Sequence, residues 1–132
     1  MVLTAADIGE EMNHELASVT RTIDLTEDTD ANNLLGRPHG YTSATVLVDD
    51  NLSCDTSDPG VDCGGTVEVF ATEADAKARA TYIDSIISGS SLFTEYDTLS
   101  GSALLRVSGD IKPSLAKKYA ATFASVMNGQ IA

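Results

Sequence analysis

The 132-residue sequence predicts an α+β fold, a single domain spanning 1–132 with a mainly antiparallel sheet of about five strands and three helices packed on one face. Three observations lead there. Two Thr-x-x-Asp caps, beginning at Thr4 and Thr72, and a first-turn proline at Pro113 each open a stretch of helical apolar spacing. Between these stretches lie runs rich in Val, Ile, Thr and Tyr that alternate with a period of two. The connections between those runs favour antiparallel pairing, with helices left to cover the sheet.

The first helix is expected from Thr4 to about residue 17, where Ala5, Ile8, Met12 and Leu16 form a narrow apolar stripe and His14 faces solvent. A half-buried strand follows over 19–25, with Val19, Arg21, Ile23 and Leu25 on one side. Arg21 spoils that face, which places the strand near an edge. Residues 41–49 return to strand chemistry, with Tyr41, Ser43, Thr45 and Leu47 on one side and Ala44, Val46 and Val48 on the other. Gly64-Gly65 releases the chain into a clear strand over 66–71, so the two strands are expected to form a hairpin with a long tip. The second helix should run from the Thr72 cap to about residue 87 and break at 88–91. A second hairpin is expected over 93–99 and 102–108 around Ser100-Gly101. The last helix starts at Pro113, carries Leu115, Ala116, Tyr119, Phe123 and Met127 on one broad stripe, and ends at Gly129.

Composition narrows the function classes. Apolar residues make up 42% of the chain, enough to fold, while aromatics reach only 5% with no Trp. The core must therefore rest on Val, Ile, Leu and Ala. The net charge is −12 and unevenly spread: residues 1–75 hold two basic and sixteen acidic side chains, residues 76–132 six and four. Such a surface repels a phosphate backbone and an anionic membrane, so neither nucleic acid nor lipid headgroups are expected partners.

Cys54 and Cys63 flank a segment rich in Asp, Pro and Gly. They form neither a C-x-x-C redox motif nor, with His14 and His39, a zinc-ligand pattern. A disulfide closing the hairpin tip is expected, and with it an oxidising compartment. Asp49, Asp50, Asp55, Asp58 and Asp62 carry oxygen ligands, but the calcium-loop spacing is missing, so a solvated acidic tip and no metal are expected. No membrane span and no leader are visible in the sequence. An exported form is therefore expected to carry its leader and lipid anchor outside this chain.

The segment 32–43 fits neither a helix nor a strand period, yet mixes Leu34 and Leu35 with Gly36, Pro38 and Gly40. Apolar side chains among so many breakers predict a loop pinned to a core. Arg37, His39 and Tyr41 alternate along it and, if extended, could bind an anion or carboxylate together, with Arg37 as the charged donor. The competing expectation pairs Arg37 with an acid such as Asp28 or Asp30. Arg106 is expected as a partly buried ion-pair partner. No nucleophile setting is present and imidazoles are scarce, so no catalytic residue, enzyme activity or cofactor is expected.

The run Asp-Thr-Asp-Ala-Asn-Asn-Leu-Leu-Gly-Arg-Pro-His-Gly-Tyr-Thr-Ser over 28–43 resembles a segment of small actinobacterial secreted proteins and lipoproteins of unassigned function, some carried by phages. Gly-Gly-Thr-Val-Glu-Val-Phe-Ala-Thr-Glu-Ala-Asp-Ala-Lys-Ala-Arg-Ala over 64–80 and Leu-Leu-Arg-Val-Ser over 104–108 fit the same pattern. This chain departs from it in having Ala44 after Tyr-Thr-Ser and in its two cysteines. The resemblance implies a cell-envelope location. The expected function is a non-catalytic extracytoplasmic binding or interaction module. Its partner is expected to be an envelope protein or a small ligand, and contact with the membrane to come only through a lipid anchor. The alternative is an inhibitor or phage superinfection-exclusion protein acting on an envelope target.

Overall fold

Strand β3 (Gly64–Phe70) is buried along its whole length, and the sheet extends outward from it. The computed structural model describes residues 3–89 and 94–129. In chain order the elements are α1 (Ala5–Glu15), β1 (Val19–Asp24), β2 (Tyr41–Asp49), a short 3-10 turn (Val61–Cys63), β3, α2 (Glu73–Ser88), β4 (Glu95–Ser100), β5 (Ala103–Ser108) and α3 (Pro113–Gly129). The strands form one antiparallel sheet in the order β1-β2-β3-β5-β4. The fold is α+β, with three helices and five strands among the described residues, as the sequence predicts. Both hairpins form, and β1 is an edge strand. The expected helix break at 90–91 and the strand start at 93 lie outside the described residues.

The helices divide between the two faces, which corrects the expectation that all three share one. Ile8 and Met12 of α1 and Tyr119 and Phe123 of α3 pack on Val67, Leu105 and Val107. Ala76 and Ile83 of α2 pack on Tyr41, Phe70 and Leu104 on the opposite face. The reason lies in β3 and β5: Val67, Val69, Leu105 and Val107 form an apolar face for α1 and α3, while Phe70 and Leu104 on the other side flank buried Glu68 and also need cover. A strand buried on both faces needs cover on both.

Two bulges decide which side chains face which helix. The register shifts between Val19 and Arg21 in β1 and between Tyr41 and Ser43 in β2. Val19 consequently joins the α1/α3 core while Leu25 reaches the α2 side. Tyr41 likewise joins Ala44 on the α2 side, although simple alternation had put it with Ser43 and Leu47. A one-residue bulge reverses the facing of every position beyond it.

Local signals hold the helices in place. Thr4 and Asp7 form a reciprocal capping box, with bonds of 3.2 and 3.0 Å. Gly9 lets α1 lie directly on β2, since a Cβ there would meet Thr45 Cγ2 at 2.9 Å. At the far end of β2, fully buried Asp49 accepts hydrogen bonds from Tyr119 Oη, from Ser18 Oγ at 2.8 Å, and from the backbone and side chain of Asn51 at 2.9 and 2.8 Å. Burial pushes the Asp49 carboxyl up, but these donors outweigh it and hold the group below the usual carboxylate value. Asp49 is thus part of the core rather than of a solvated acidic tip.

Cys54 and Cys63 form a disulfide with Cα atoms 5.0 Å apart, as expected. Cys63 is buried beneath the sheet end, so the bridge ties the β2–β3 tip to the core.

Replacing both cysteines by serine should lower the unfolding free energy by roughly 2.7 kcal/mol, the loop-closure value for a bridge of this span, read from urea melts. Stability should also depend on acid. Asp30 and Asp49 both sit below their unfolded carboxyl values, so their contribution is complete above that range and is lost as pH falls through the folded values. The urea midpoint should therefore drop below about pH 4, and drop less in Asp49→Asn, which takes up no proton there.

Candidate ligand groove

Asp30 organises the loop between β1 and β2. Its Oδ2 accepts from the Leu34 and Leu35 amides at 2.8 and 2.9 Å, and its Oδ1 from the Asn32 amide at 3.1 Å and from Tyr41 Oη. Burial raises the Asp30 carboxyl, but these bonds prevail and hold it low. Burial and the Asp30 partner push the Tyr41 hydroxyl well above its usual value. Leu34 and Leu35 then pack against the α2-side core, so the loop is pinned as its composition predicts. Gly40 is required where the chain closes on itself: a Cβ there would sit 2.1 Å from the Leu34 carbonyl oxygen.

The structure does not bring Arg37, His39 and Tyr41 together. Tyr41 is fully buried against Phe70, their rings 5.9 Å apart and edge-on. Arg37 is exposed and donates from Nη2 to Asn33 Oδ1 at 3.1 Å, rather than to Asp28 or Asp30. His39 adopts a left-handed backbone, φ 65°, and its Nδ1 lies 2.9 Å from Asp75 Oδ1. Thr72 accepts the Asp75 amide at 3.1 Å to cap α2, while the Asp75 carboxylate turns to His39. This contact joins the loop to the start of α2. The turn at 36–40 and the bulge in β2 interrupt any extended run, so alternation does not align the three side chains.

What the loop, α2 and the sheet do enclose is a groove of about 720 Å³. That volume lies inside the range of roughly 300–1,000 Å³ usual for small-molecule sites. Its walls include Leu34, Phe70, Tyr82, Ile83, Ile86 and Ile87. Tyr82 and Ile86 remain 58% and 42% exposed, so α2 presents apolar side chains outward as well as down.

The floor is charged. Arg79, Glu95 and Arg106 line the groove, and behind them Glu68, in the middle of β3 and 1% exposed, accepts from Arg79 Nε on Oε1 at 3.2 Å and from Arg106 Nη1 on Oε2 at 3.3 Å. Arg106 also donates to both oxygens of Glu95, through Nε at 3.0 Å and through Nη2. Burial opposes the charge on Arg106, but Glu95 and Glu68 overcome it and keep the guanidinium protonated. Burial likewise opposes the charge on Glu95, and the Arg106 bonds hold its carboxyl low. Asp97, two residues along β4 from Glu95 and opposite Arg106 in the register, is pushed up to about 8 by partial burial and by Glu95 beside it.

A smaller cavity of about 220 Å³ adjoins the groove, and Asn32 and Arg106 line both. Its walls include Asp30 from one loop and Pro59, Gly60 and Val61 from the disulfide-tied loop. Thr66 Oγ1 on its floor is buried and has no hydrogen-bond partner among the described residues. The two loops that stood out in the sequence therefore meet over one end of the sheet, through residues other than Arg37, His39 and Tyr41.

Sequence reasoning reached Arg106 as an ion-pair partner but missed Glu68, Arg79 and Glu95 as a group. The signal was available in part: Glu68 is the single charge in an otherwise uncharged, wholly buried strand. A buried carboxylate needs a cation close by. Among the described residues no cluster of three or more His, Cys, Asp or Glu has metal-binding geometry. No protein-family model, curated protein or solved structure matches the chain. Its class is set by fold and site alone: an α+β protein whose sheet packs against two helices on one face and, on the other, carries a half-open groove with apolar walls and charged side chains.

Glu68→Gln should destabilise the fold by about 3 kcal/mol, because two guanidinium groups lose their shared charge in a buried site. Arg37→Ala should change stability by less than about 0.5 kcal/mol, as for other exposed positions with one local contact. Thermal or urea melts of the two variants check both statements.

Proposed function

We propose that this protein is a non-catalytic, extracytoplasmic binding module of the cell envelope, and that the groove beneath α2 is its ligand site. The observation that carries the reading is the groove itself, large enough for a small molecule, with apolar walls over a preformed polar floor. Of the carboxylates at the groove, Glu95 and the underlying Glu68 are tied to arginines and Asp75 to His39, which favours holding a ligand over transferring protons. The disulfide supports an oxidising compartment. No helix among the described residues is long and apolar enough to cross a membrane. The resemblance of 28–43 and 64–80 to actinobacterial secreted proteins and lipoproteins supports the same location.

The test is native and denaturing mass spectrometry of the protein recovered from its host, alkylated with and without reduction. Cys54 and Cys63 should resist alkylation until reduced, and a small-molecule adduct should accompany the folded chain but not Ile86→Glu. Free thiols would remove the envelope reading. A chain that carries no adduct, or one that Ile86→Glu retains, would remove the groove as the ligand site.

A further inference from the structure

Building on the groove as ligand site, we infer that its ligand is an uncharged amphiphile: an apolar chain lying along α2, with a neutral hydrogen-bond acceptor, such as an amide or hydroxyl oxygen, held by Arg79. The carboxylates around the groove are largely satisfied by neighbouring side chains. Both oxygens of Glu68 are taken, one by Arg79 and one by Arg106. Both oxygens of Glu95 are taken by Arg106. Asp75, at the rim, is engaged by His39. A cationic head therefore meets two guanidinium groups on the floor, where Glu95 and the underlying Glu68 have both oxygens occupied, and is left only the second oxygen of Asp75 at the rim.

Arg79 is different. Its side chain is 11% exposed, and among the described residues only its Nε–H has an acceptor. A guanidinium carries five N–H donors in a fixed fork, so Arg79 retains donors for a ligand oxygen. Its charge is already matched, because Arg79 and Arg106 balance Glu68 and Glu95. An anionic head would add an unmatched negative charge to a poorly hydrated floor, in a chain whose net charge is −12. A neutral acceptor takes the free N–H groups at no such cost. The apolar part of the ligand follows from Ile83, Ile86, Ile87 and Tyr82, which line the groove along successive turns of α2.

The experiment titrates three probes of equal chain length into the isotope-labelled full chain at neutral pH, each below its micelle threshold: decanamide, decanoate and decylammonium. Decanamide should bind saturably, with amide shifts confined to α2 and 34–39, and at least about tenfold more tightly than either charged probe, the expected size of one desolvated charge-free hydrogen bond. Arg79→Met and Ile86→Glu should each weaken it by about tenfold or more, one at the head and one at the chain. Ile86 is exposed, so its variant keeps the test decisive even where Arg79→Met loosens Glu68. Equal affinity for all three probes, preference for a charged one, shifts elsewhere on the chain, or no binding to the folded protein would overturn the inference. A charged molecule found bound to the host-derived protein would overturn the neutral head while leaving the groove as ligand site intact.

Discussion

The buried carboxylate of Glu68 sets the constraint that the α2 side of this molecule obeys. It sits in the central strand, where apolar packing would be the cheaper solution, and it needs cations to be tolerated there at all. Arg106 arrives from the neighbouring strand and Arg79 from α2, so the same interaction fixes a strand register and docks a helix. It also limits how closely α2 can approach. Two guanidinium groups and two carboxylates occupy the space that apolar side chains fill on the opposite face, and the groove opens where helix and sheet cannot close over them.

Strand β2 shows the second organising device, an Asp–Tyr pair at each end. It begins with Tyr41, whose hydroxyl donates to Asp30 of the preceding loop, and ends with Asp49, which accepts from Tyr119 of α3. The first pair lies on the α2 side and the second on the α1/α3 side. In each, a buried phenol keeps its proton and a buried carboxylate keeps its charge, because each supplies what the other lacks. One strand thereby anchors the loop that walls the groove and the helix that closes the far face.

The sequence made local chemistry legible and left facing obscure. The Thr4 and Thr72 caps, Pro113, the Ser100-Gly101 turn and the cysteine-tied tip are short-range signals, and the helices, hairpins and disulfide formed where they pointed. Which side of the sheet a residue meets depends on bulges near 20 and 42, where the residues are ordinary Thr and give no warning. The same limit governed the site. Arg37, His39 and Tyr41 drew attention because they are polar and regularly spaced, yet the turn between them sends each to a different place. Glu68, Arg79 and Glu95 are scattered over three elements, and only the folded topology assembles them around Arg106.

The unequal cover of the two faces also shapes how the molecule breathes. Helix α2 buries only Ala76 and Ile83, whereas α3 buries Ala116, Tyr119, Phe123 and Met127. Regions with few buried contacts open locally at lower free energy than the whole domain. Helix α2 is therefore the element expected to open before the α1/α3 layer does.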